Sequence, residues 1–227
     1  MALTPFAAIF ARAAERKGGA AAIEAMLPAM KPVDELRATT DDRWLACMAR
    51  VVFQAGFSWT VIEQKWPGFE AAFHGFEPHA CAFMSDERID ALLKNPDIVR
   101  NAAKIRSVRE NAVFVTELAR EHGSAARFFA DWPLSDQVGL LDLLKARGSR
   151  LGGNSGPMLL RFMGKDSFVI SADVAKALVK WGAVDKAPSS KKDMAAVQAA
   201  FNAWTAESGR PYAHVSRTLA LSVGEDD

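Results

Sequence analysis

Wherever this chain shows a pattern, its apolar residues fall three or four positions apart. Ile98, Ala102, Ile105, Val108, Ala112, Val115 and Ala119 share one helical stripe, with Arg100, Lys104, Arg106, Arg109 and Glu110 assigned to the surface. This predicts one long amphipathic helix that stops near Gly123. Ser190 and Asp193 form a capping-box pattern ahead of Met194, Val197, Phe201 and Trp204, which line one face. Ser85 before Asp86 and Glu87, and Ser135 before Asp136, mark two further helix starts. There is no Asn-Gly or Asp-Gly hairpin signal and no sustained polar–apolar alternation, and residues 168–170 are too few to build a sheet. The fold class is therefore all-α, with about ten helices of ordinary length.

Between two of these helical stretches lies LGGNSGPMLLRFMGKDSFVISAD, Leu151 to Asp173. Gly152, Gly153 and Gly156 surround Asn154 and Ser155, and glycine lets a backbone turn tightly and approach a ligand closely. A helix beginning there would present unpaired N–H groups and its positive dipole end, which suits a phosphate. Lys145, Arg147, Arg150, Arg161 and Lys165 are basic, and no acid interrupts residues 145–165. A helix, glycine hairpin and helix with a positive rim fits the sugar-phosphate backbone of DNA, while a plain architectural turn accounts for the glycines alone. The candidate DNA contacts are Gly152, Gly153, Asn154, Ser155, Gly156, Arg150, Arg161 and Lys165.

The 227 residues suffice for a substantial core in one domain or two small lobes. A formal net charge of +1 means that any grip on nucleic acid must come from local patches. Cys47 and Cys81 are too few for a disulfide framework and sit in apolar stretches, as buried free thiols do. No apolar run is long enough to cross a bilayer. The start, MALTPFAAIFARAAERKGG, is amphipathic, but Glu15 and the lack of serine argue against a transit peptide, so a cytoplasmic protein is expected. The chain divides into an N-terminal helical segment (1–40), a core (41–185) and a C-terminal helical pair (186–227), with DKAPSS at 185–190 as the linker. The acidic tail GEDD is expected to fray.

Gln54 to Trp59 read QAGFSW and are followed by WPGFEAAFHGFEP, then DIVRNAAKIRSVRENA at 97–112 and LLKARGSRLGG at 143–153. This order resembles the DNA-3-methyladenine glycosylase I family, within the helix-hairpin-helix DNA glycosylase superfamily, from about Trp44 to about Trp181. The resemblance implies a helix-hairpin-helix glycosylase-like fold and a base pocket at Trp59, Gln54 and Val51. Trp59 would be its stacking wall, and Phe57 an apolar wedge filling the gap left by the flipped base. An indole face suits a cationic alkylated purine. Core aromatics on an apolar helix are the alternative for both residues.

The chain also departs from that family. Val51 stands where the family places its base-recognition glutamate, and valine cannot accept a hydrogen bond. The zinc site that the resemblance implies needs cysteine and histidine near both ends. His74, His79, His122 and His214, with Cys47 and Cys81, have no such spacing, so neither metal nor cofactor is expected. His214 is read as a surface residue of the last helix.

Superfamily members outside this family carry an aspartate at the helix start after the hairpin, where it stabilises the cationic sugar. Asp173 is the candidate, although a gapless comparison puts Ser171 at that place. Asp173 could equally serve only to cap a helix beginning at Val174. Pro157 occupies the position of the Schiff-base lysine of bifunctional relatives, so base removal without strand cutting is implied. The expected function is a monofunctional DNA glycosylase acting as a monomer on double-stranded DNA, most plausibly on an alkylated purine. A DNA-binding protein that keeps the scaffold without the chemistry is the alternative.

Overall fold

The computed structural model describes residues 2–224, so residues 225–227 of the acidic tail lie outside it. Fourteen α-helices follow in order: α1 (Phe6–Lys17), α2 (Ala20–Glu24), α3 (Val33–Ala38), α4 (Asp41–Gln54), α5 (Trp59–Ala72), α6 (Pro78–Ala82), α7 (Asp86–Leu92), α8 (Ala102–His122), α9 (Ala125–Asp131), α10 (Gln137–Arg147), α11 (Ser155–Met163), α12 (Ala172–Lys180), α13 (Lys191–Ser208) and α14 (Tyr212–Ser222). There is no strand among the described residues, and the all-α expectation holds.

The chain forms two compact units. One comprises residues 31–132 and 140–165, and the other residues 2–30, 133–139 and 166–224. The N-terminal residues thus belong with the C-terminal helices rather than standing as a segment of their own.

In the first unit α8 packs against α4, α6 and α9, and α4 also meets α11. Ile105, Val108, Ala112 and Val115 of the predicted stripe are buried, and the helix stops at Gly123 with φ 85°. Trp44 of α4 stacks on Phe129 of α9 with ring centroids 4.6 Å apart. Lys104, expected on the surface, is buried instead. Cys47 and Cys81 are free, and burial pushes each thiol up to about 12, which keeps both protonated and unreactive.

In the second unit α14 packs against α1, α12 and α13. Phe168 stacks on Phe201 at 4.3 Å, with Trp204 and Tyr212 beside Phe201. The capping box is present: Ser190 Oγ accepts from Asp193 N, and Asp193 Oδ2 accepts from the N–H groups of Ser189 and Ser190. Those bonds to the charged form lower the Asp193 carboxyl from 3.8 to about 2. A depressed carboxyl contributes stability that is complete above the unfolded value and is lost as pH falls through the folded one. The urea midpoint of this unit is therefore expected to drop between pH 4 and about 2, with Asp193→Asn removing one group's share of the slope. An unchanged slope in the variant would show that this cap carries no linkage.

Candidate functional site

The helix α4 places Val51 and Gln54 at its last turn, and the chain then turns at Gly56, whose φ of 68° favours glycine. Phe57 follows, and Ser58 leads into α5 with Trp59 as its first residue. The C-terminal turn of a helix leaves carbonyls without intrahelical partners. Lys104 supplies donors here, its Nζ donating to Phe53 O at 3.1 Å and Ala55 O at 2.7 Å. Burial, and secondarily Arg150, lowers the pKa of this ammonium. The same nitrogen lies 6.0 Å from the centre of the Phe57 ring. One buried cation thus ties down the loop that carries both aromatic residues.

The hairpin lies between α10 and α11. Arg150 and Gly153 take φ of 61° and 58°, the two left-handed positions of the turn. Gly156 sits against Leu151 O, where an added Cβ would come within 2.8 Å, so closeness rather than φ requires glycine there. Asn111 of α8 brackets the turn: its Oδ1 accepts from Ser149 N at 2.7 Å and its Nδ2 donates to Ser149 O at 3.1 Å. The start of α11 faces a cavity of about 380 Å³ lined by Lys104, Arg150, Gly152 and Ser155. The exposed Arg150 side chain beside a helix N-terminus can hold a phosphate oxygen, while Lys104 is engaged by its two carbonyls.

A second cavity, of about 150 Å³, joins the two motifs within this unit. Val51, Gln54 and Trp59 line it from the first motif, and Asn154, Ser155 and Phe162 from the hairpin and α11. Trp59 is 51 % exposed and meets Phe162 edge-on, with ring centroids 5.8 Å apart at 80°. Phe57 is 46 % exposed. Neither Trp59 nor Phe57 is a sealed interior aromatic. Gln54 is buried, and its Nε2 donates to Glu63 Oε1 at 3.1 Å.

Other sequence candidates sit elsewhere. Lys165 cannot reach a phosphate as it stands: it is buried, and its Nζ donates to Ala130 O and Trp132 O. No local pattern signals this, because the carbonyls it serves end a helix more than thirty residues away. Arg161 is half-buried on α11, whereas Arg150 is exposed. Ser171 is the N-cap of α12, its Oγ accepting from Val174 N at 3.2 Å. Asp173 is exposed in the first turn of α12, so the capping role weighed for it belongs to Ser171. Both residues lie in the second unit, and the cavity lies in the first. His214 is half-buried rather than on the surface, with Nε2 3.1 Å from Pro28 O. Phe162, Lys104 and Asn111 were missed as site residues. An unpartnered aromatic just after the hairpin could have pointed to Phe162, and nothing local marks the other two.

Comparison with known proteins bears on the first motif. Residues 37–138 match the model of the methyladenine glycosylase family. Over that segment the chain is similar to the methyladenine glycosylase family. It is 37 % identical over 59 residues to DNA-3-methyladenine glycosylase of Haemophilus influenzae, and 36 % identical over 59 residues to DNA-3-methyladenine glycosylase 1 of Escherichia coli. Each match covers 26 % of this chain, and the chain spans about a third (32 %) of each relative's length. The solved structure of 3-methyladenine DNA glycosylase I from Staphylococcus aureus is similar in fold, with a TM-score of 0.50 and 24 % identity over 55 % of this chain and 77 % of that one. The matched segment contains Val51 to Trp59, while the hairpin at 148–156 falls beyond it. Among the described residues no three His, Cys, Asp or Glu side chains gather as a metal site. No described helix is long and apolar enough to cross a membrane.

Proposed function

We propose that this chain is a monofunctional DNA glycosylase that hydrolyses the N-glycosidic bond of a damaged base, an alkylated purine above all. One observation carries the reading: a half-exposed indole, Trp59, lines the same cavity as Asn154 and Ser155 of the glycine hairpin. A base turned out of the duplex could stack there while the hairpin holds its strand by the phosphates. An exposed position in the loop just before Trp59 supports the wedge role for Phe57. The substrate is double-stranded DNA, met by a single chain in the cytoplasm. A cationic alkylpurine is already a good leaving group, so a stacking wall, a wedge, a strand anchor and one carboxylate suffice.

Asp173 is the proposed carboxylate. A carboxylate at the start of the helix after the hairpin suits a developing sugar cation. The test is incubation with randomly methylated duplex DNA and identification of the released bases. Release of alkylpurines with the strand left uncut is expected, as Pro157 offers no amine. Asp173→Asn is expected to slow release at least tenfold with DNA affinity unchanged. Equal rates would remove Asp173 from the chemistry. Val51 in the cavity wall favours the second reading, a DNA-binding protein without hydrolysis. That reading predicts salt-dependent duplex binding and no released base.

A further inference from the structure

The cavity has one polar group whose orientation the surrounding protein fixes. Gln54 ends α4, is 4 % exposed and lies in the cavity wall with Trp59. Its Nε2 donates to Glu63 Oε1 at 3.1 Å, and Arg50 Nε lies 3.8 Å from that same oxygen. A carboxylate only accepts, so the amide must turn its nitrogen to Glu63 and its oxygen away. That oxygen is buried and has no hydrogen-bond partner among the described residues. Buried acceptors are rarely left so, because the group has lost water and gained nothing. Val51, beside it in the wall, can neither donate nor accept.

We infer that Gln54 is the specificity-determining residue of the pocket, accepting an N–H of the extruded base at Oε1, with Glu63 as the positioning residue that keeps the amide from turning round. The inference rests on reading this cavity as a base pocket. It names the substrate class as an alkylated purine with an amino group. Positive charge on such a ring polarises its amino hydrogens, and the Glu63 carboxylate behind the amide strengthens the acceptor. The chain thereby recognises a cation without burying a full negative charge against it, which a neutral purine would have to leave unpaired.

The test is calorimetric titration of the full chain with free 3-methyladenine and with 3-methylpurine, which lacks the amino group. It needs neither DNA nor hydrolysis. Both free bases are neutral, so the chain is expected to bind the amino base about 2- to 10-fold more tightly, the range of one neutral hydrogen bond. Gln54→Met, which keeps length and burial but has no acceptor, is expected to abolish that preference without lowering the melting temperature. A purely structural glutamine would instead lower the melting temperature. Glu63→Gln, whose amide can pair with Gln54 either way round, is expected to narrow the preference. A preference that survives Gln54→Met overturns the assignment to Gln54 and leaves the glycosylase reading intact. If the wild-type chain binds neither base, this assignment fails, while base release from methylated DNA independently decides the glycosylase reading.

Discussion

Trp59→Ala is expected to reduce base release from methylated DNA by about 10- to 100-fold, since stacking a base on an aromatic side chain is worth about 1–3 kcal/mol. The stability of the chain should barely change. Trp59 is half-exposed, and its ring contact is with Phe162, itself 41 % exposed, so truncation opens no core cavity. This separation makes the variant informative, because a buried tryptophan such as Trp44 could not be removed without unfolding its surroundings. Single-turnover release of labelled base, measured beside a thermal melt, reads both quantities. A loss of activity that merely follows a loss of fold would argue against Trp59 as a stacking wall, and so would full activity. Trp59→Phe, which keeps an aromatic face, is expected to recover part of the rate.

The second large effect concerns stability. Lys104→Met is expected to cost about 2–3 kcal/mol in the first unit, because hydrogen bonds to a charged donor contribute about 1.5–3 kcal/mol and two carbonyls lose theirs. Two terms oppose each other at this site. The ammonium pays for its burial and for sitting near the positive end of α8, whose N-cap is Asn101 three residues earlier. Against that, it neutralises the negative end of α4 and satisfies Phe53 O and Ala55 O. The second term should win, since truncation leaves both acceptors behind with no replacement donor. Hydrogen exchange offers a local readout: the Phe57 amide, bonded to Gln54 O at 3.1 Å, should exchange faster in the variant. An unchanged denaturation midpoint would mean that desolvation cancels the gain, and Lys104 would then hold the loop at no net benefit to the fold.

Much of the framework was legible from local pattern. The stripe from Ile105 to Val115, the stop at Gly123 and the box at Ser190 and Asp193 all follow from spacing and backbone chemistry within a few residues. QAGFSW and the glycine hairpin each announced themselves in the same way, and Trp59 was identified from its motif. Gly156 was noticed for its type, but the reason it must be glycine, a contact with Leu151 O, belongs to the folded turn.

The remainder depended on which distant groups meet. Lys104 and Lys165 have the composition of surface residues, yet each is drawn inward by carbonyls at the end of a helix far away in sequence. Asn111 is an ordinary helical polar residue until the turn at Ser149 comes to rest beside it. The sequence by itself determined the helices, their ends and the two motifs, because those follow from side-chain periodicity and from the few donors and acceptors near each terminus. Only the tertiary structure decided that Gln54 faces Glu63, that Phe162 walls the cavity and that the first thirty residues join the last sixty. Those outcomes are pairings of unsatisfied backbone and side-chain groups across long separations, and a one-dimensional pattern has no term for them.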